Sequence, residues 1–216
     1  MGATKIMVVR HAEKPGVYNG QSYAGIDALG VADDESLVTL GWERAGGLAA
    51  MFDPQGQVAL GAGSELVVPQ FLYAADPRDK DKGVEKDNEP SQRPYQTISA
   101  LAAKLGSAVP FDASYKKKHY KDMVTAALRC DGIVLVSWQH EDIPSIGGEI
   151  LSQTGTGGIT VPQTWPGGRY TSSGCSIVRA ERGQSPSSRR CRSSCSPAIS
   201  RRSFPADDRI STGRHA

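Results

Sequence analysis

The 216-residue chain has no run approaching the roughly 18 apolar residues that a membrane span requires. At 38% hydrophobic content, with modest charge, it does not read as a wholly disordered polypeptide either. Cysteine is scarce at four residues, and only Cys130 lies within residues 1–168. A chain of this length can bury a core without disulfide or metal staples. No apolar targeting segment follows the N-terminus, and Ile6 stands where a myristoylation motif needs Ser or Thr, so the expected address is cytoplasmic. The glycine-rich Gly155-Thr-Gly-Gly158 lacks the Lys-Ser/Thr that would make it a P-loop. No internal repeat is present.

Lysine is absent from residues 169–216, which nevertheless hold 10 arginines, 12 serines and three of the four cysteines against 3 acids. Residues 1–168 carry 15 Lys and Arg against 20 Asp and Glu. Charge sign and composition thus switch together near Arg169. At face value the tail suggests an Arg/Ser-rich nucleic-acid arm or a metal site on Cys191 and Cys195. That Cys spacing, with no second pair or nearby His, is a poor zinc pattern.

The first 150 residues alternate strand, loop and helix. Residues 5–9 form a short, β-branched-rich run ended by charge, which reads as a buried parallel strand. A Gly/Asp-rich loop follows to about Ser36. The spacing of Trp42, Ala45, Leu48, Ala49 and Phe52 predicts a helix over 41–51, capped by Thr39, with Glu43 in its first turn and Pro54 at its end. Residues 66–74 form the next expected strand, and 76–89 a solvated charged loop. Residues 91–105 turn helical after Pro94, 109–111 form a short strand, 119–129 a helix, and 132–138 a strongly apolar strand. Near-continuous apolar strands between helices predict a three-layer α/β/α domain on a mostly parallel sheet.

In such sheets ligands bind beyond the carboxyl ends of the strands. Two strands end in histidine, at Arg10-His11 and at Trp138-Gln139-His140, and Arg93 precedes a helix. Two arginines and two histidines gathered there would bind an anion, because Arg matches phosphate oxygens bidentately while imidazole can attack or donate. Trp42, Trp138 and Trp165 read as core or pocket wall. Glu13 and Lys14 either line the entrance or face water. The basic stretch from Lys116 to Lys121, which includes His119, reads as a solvated face able to steer anions.

Four segments, in order, resemble the histidine phosphatase superfamily, also called phosphoglycerate mutase-like. They are Val8-Val-Arg-His-Ala-Glu-Lys-Pro15, Leu37-Val-Thr-Leu-Gly-Trp-Glu-Arg-Ala45, Ser91-Gln-Arg-Pro-Tyr-Gln-Thr97 and Val136-Ser-Trp-Gln-His140. Val38 departs from the usual Thr, with Thr39 available to cap. Trp138-Gln139 before the second His is a variant of a branch of small bacterial phosphatases. The resemblance covers residues 4–170 and implies hydrolysis of a small phosphate ester or anhydride through a phosphohistidine on His11. It assigns phosphate binding to Arg10, Arg93 and His140, and leaving-group protonation to Glu141, with Asp142 and Glu13 in reserve. No metal or other cofactor, membrane or nucleic-acid partner is implied. The different-class alternative is a protein that binds a phosphate ligand without turnover, or nucleic acid through its basic tail.

The resemblance also implies an apolar strand of the type Asp-Val-Val-Trp-Val-Phe-Asp-Arg after Tyr170, where the chain reads Thr171-Ser-Ser-Gly-Cys-Ser-Ile-Val178. Restoring one base lost after the Tyr170 codon recovers residues compatible with that strand. The same shift makes residues 188–200 compatible with a further strand and turn. The expected organisation is therefore a domain over 1–170, lacking its last strands, and a disordered, out-of-frame tail over 171–216.

Overall fold

The computed structural model describes residues 2–54, 66–77, 91–155, 161, 163–165 and 176–178. The expectations for residues 78–89, for 156–158, for Tyr170 and for the tail apart from 176–178 lie outside these residues. The chain is mixed α/β, a mostly parallel central sheet flanked by helices. Strand β1 (Lys5–Arg10), strand β4 (Phe71–Ala75), strand β5 (Phe111–Tyr115) and strand β6 (Ile133–Trp138) are mutually parallel in the order β5-β4-β6-β1. Strand β7 (Ser176–Val178) lies antiparallel to β1, pairing Val8 with Ser176 and Ile6 with Val178. Residues 176–178 thus lie along the edge of β1 opposite β6.

Alternation along β1 divides the core in two. Met7 and Val9 pack with Leu48, Phe52, Leu72, Ile98 and Leu101 beneath helix α1 (Thr39–Phe52) and helix α2 (Arg93–Leu105). Ile6 and Val8 pack with Met123, Val124, Ile146 and Ile150 beneath helix α3 (Tyr120–Arg129) and helix α4 (Ile143–Thr154). These are the three layers the apolar strands predict. β6 therefore lies between two strands, β1 and β4, whose following helices cover the opposite face from its own. Such a switch in winding opens a crevice at the strand ends.

Several boundaries differ from the sequence expectation. Thr39 is the first residue of α1, not its cap; Val38 takes the cap position without a side-chain hydrogen bond, and no acid lies in the first turn. The start is fixed by a tertiary contact: Val38 N–H donates to the Glu13 carbonyl at 3.1 Å, and the Val38 carbonyl accepts Trp42 N–H at 3.1 Å. β4 starts at Phe71 rather than 66, beyond Pro69. β5 begins where the expected strand ended. A 3-10 turn at Lys117–His119 precedes α3. Two further elements lie outside the expected pattern, α4 and the hairpin of β2 (Gly16–Tyr18) and β3 (Gln21–Tyr23). Its signal was present, since Asn19-Gly20 takes the two positive φ angles, 53° and 80°, of a two-residue hairpin turn. Among the described residues no helix is long and apolar enough to cross a membrane.

Two glycines of α1 make a paired test of how that helix is seated. A Cβ on Gly41 would lie 2.8 Å from the Glu13 carbonyl oxygen, whereas one on Gly46 would meet nothing within 4 Å. Gly41→Ala is expected to destabilise the chain by about 1–3 kcal/mol through overpacking. Gly46→Ala is expected to stabilise it by about 0.5–1 kcal/mol, because an exposed helix interior favours Ala. Denaturant midpoints check both signs.

Candidate active site

β1 and β6 run in register, with Arg10 opposite Trp138. The pairing continues one residue further, where His11 N–H donates to the Trp138 carbonyl at 2.9 Å. His11 and His140 are thereby delivered to the same end of adjacent strands. Arg10 and His11 are each only 6% exposed.

The His11 ring is oriented by its own main chain. Nδ1 lies 2.7 Å from the Ala12 carbonyl oxygen. A carbonyl can only accept, so Nδ1 carries the proton and Nε2 of the neutral ring holds the lone pair. Burial, above all, pushes the His11 pKa down to about 3; the Ala12 hydrogen bond opposes it, and the charges of Arg10, Arg93 and His140 add to the depression. Arg10, Arg93 and His140 thus all lie near enough to act on the His11 ring.

Ala12 N–H donates to Thr97 Oγ1 at 2.8 Å, and the Thr97 hydroxyl donates to the Arg93 carbonyl at 2.7 Å. Gln96, in the same turn of α2, accepts from Leu37 N–H at 2.8 Å and donates to Ser36 Oγ at 2.7 Å. The two buried polar residues of this segment therefore stitch α2 to the loops after β1 and before α1. Arg93 itself donates to the Asp34 carbonyl at 3.0 Å and reaches Glu35 at 3.4 Å. Its Nε is buried with no hydrogen-bond partner among the described residues.

His140 and Glu141 occupy the middle of a turn closed by Asp142 N–H donating to the Gln139 carbonyl at 3.3 Å. Glu141 Oε2 lies 3.0 Å from His140 Nδ1, an ion-pair distance without hydrogen-bond geometry, and its side chain is 63% exposed. Burial first, then Arg10, lowers the His140 pKa; Glu141 opposes this and Lys14 adds to it. Burial raises the Asp142 pKa, against hydrogen bonds from Trp138 and Gln139.

Glu13 neither faces water nor lines an entrance as a loose side chain. It is 3% exposed, and Arg44, 31 residues away, grips both its oxygens, with Nε at 2.8 Å and 2.9 Å and a further contact from Nη2. Both acceptor atoms are thus engaged by a guanidinium, an arrangement for holding the loop rather than giving up a proton. Lys14 and His119 are exposed. Trp138 is fully buried, while Trp42 and Trp165 are partly buried against core residues. Among the described residues no group of three or more His, Cys, Asp or Glu side chains is gathered as a metal ion would need.

Fold and cluster together define a three-layer α/β protein with two histidines and two arginines at the carboxyl end of its sheet. No protein-family model matches the chain, and no curated protein matches it. Among solved structures it is similar to one described as "the putative phosphohistidine phosphatase SixA from Agrobacterium tumefaciens". The similarity has 13% identity and a TM-score of 0.35, covering 69% of this chain and 75% of that one.

Proposed function

We propose that the chain is a phosphatase of the histidine phosphatase type, hydrolysing a small phosphate ester or anhydride through a phosphohistidine on His11. One observation carries the reading: a buried, neutral imidazole with its Nδ1 proton committed to the Ala12 carbonyl, under the influence of Arg10, Arg93 and His140. In the first step Nε2 forms a bond to phosphorus as the bond to the leaving oxygen breaks, and Glu141 gives that oxygen a proton. In the second, water attacks phosphorus as the P–N bond breaks, Glu141 takes back the proton that the water gives up, and His11 returns to its neutral form. Arg10, Arg93 and His140 bind the equatorial oxygens, where transition-state charge is spread. The buried Arg93 Nε suits this role, because an unpaired buried donor costs about 1–3 kcal/mol that a phosphate oxygen would offset.

The test is a 32P-labelled aryl phosphate with a denaturing alkaline quench. A base-stable, acid-labile label on the chain is expected. Tight orthophosphate binding with neither label nor phosphate release would replace the reading with a phosphate-binding protein. We further propose the frameshift after Tyr170, tested by genomic DNA around that codon; an unbroken frame in independent isolates overturns it.

A further inference from the structure

One carboxylate oxygen receives both side-chain hydrogen bonds that tie together the turn carrying His140. Asp142 Oδ2 accepts Trp138 Nε1–H at 3.2 Å and also accepts from Gln139 Nε2, while Asp142 N–H donates to the Gln139 carbonyl at 3.3 Å. Trp138 is fully buried in the core beneath α3 and α4, and it is the residue whose carbonyl receives His11 N–H. Asp142 thus joins the anchored end of β6 to the start of α4, with His140 and Glu141 spanning the gap. Its side chain does not cap α4, so the carboxylate is committed backwards, to the strand.

We propose that Asp142 is a positioning residue: its carboxylate fixes the 139–142 turn so that His140 faces the phosphate, and it does not donate the proton in the reaction. The inference rests on the phosphatase reading for its kinetic consequence, but the clamp stands on the hydrogen bonds alone. Two donors on one oxygen use both of its lone pairs, and an amide oxygen has the same capacity. A proton donor, by contrast, must carry an ionisable O–H, which an amide cannot replace. The two roles therefore predict opposite results for one substitution.

Asp142→Asn and Asp142→Ala are compared on p-nitrophenyl phosphate, whose leaving group needs little protonation, and on an alkyl phosphate, whose leaving group needs it. For a clamp, Asp142→Ala weakens orthophosphate inhibition and raises KM on both substrates by roughly tenfold, as expected for a displaced phosphate ligand, and Asp142→Asn restores both. Equal losses of kcat in the two variants, confined to the alkyl phosphate, would overturn the proposal. An independent readout is solvent exchange of the Trp138 indole N–H by NMR. It should be protected in wild type and Asp142→Asn and fast in Asp142→Ala; equal protection in all three would overturn the clamp. If the wild-type chain releases no phosphate, the catalytic reading fails while the exchange measurement still decides the clamp.

Discussion

Asn at position 11 is expected to abolish the phosphoenzyme label and to lower turnover by about 10⁴-fold or more. Removal of a nucleophile elsewhere costs up to about 10⁶ in kcat, and what survives comes from the surrounding binding and electrostatic groups. Asn is the informative replacement because its amide nitrogen can still donate to the Ala12 carbonyl, so the local main chain keeps its partner. It lacks the second ring nitrogen. Arg10, Arg93 and His140 are untouched, so orthophosphate should bind the variant within a few-fold of wild type. Undiminished label in His11→Asn would place the covalent step on another residue and end the assignment.

Stability should fall in mild acid in a way that the same variant removes. The unfolded chain protonates His11 near pH 6.5, whereas the native site resists protonation down to about 3. Above pH 6.5 both states are neutral and this group contributes no slope. Below it the unfolded state gains a proton that the native state refuses, so stability is lost by about 1.4 kcal/mol per pH unit until the native pKa is reached. Between pH 7.5 and 4.5 that amounts to about 2–3 kcal/mol. Carboxylates titrate over the same range in both proteins, so the measured quantity is the difference between wild type and His11→Asn in urea midpoints at the two pH values. The stability of wild type relative to the variant should fall by about 2–3 kcal/mol between pH 7.5 and 4.5. Parallel profiles would mean that the imidazole is not held neutral by burial.

Much of the architecture was readable because its signals are local. β1 and β6 are short apolar runs ended by polar residues, and α2 announces itself with Pro94 at its first turn and Ile98 and Leu101 on one face. The meeting of Arg10, His11 and His140 follows from parallel strands, which bring residues at their carboxyl ends together whatever their separation in sequence, while Arg93 arrives as the first residue of α2. What was not readable depended on distant partners. Thr39 has a capping hydroxyl that goes unused because Val38 is pinned by the Glu13 carbonyl. The placement of Glu13 depends on Arg44, 31 residues away in α1. Thr97 and Gln96 were visible as part of a motif, but their work as buried stitches to Ala12 and Leu37 emerges only when α2 lies against those loops.

The partner that sets the His11 tautomer is a main-chain oxygen. In sites where a carboxylate side chain orients the histidine, one substitution deletes the orienting group. Here every residue type at position 12 brings the same carbonyl, so point mutation cannot remove the acceptor itself. The vulnerability moves to whatever shapes the path of residues 10–13: the Thr97 hydroxyl on the Ala12 amide, the Arg44 grip on Glu13, and the bare face of Gly41 against it. Selection on this imidazole would then be written in residues that never touch its ring, and variants that disturb it should be sought there as readily as at His11.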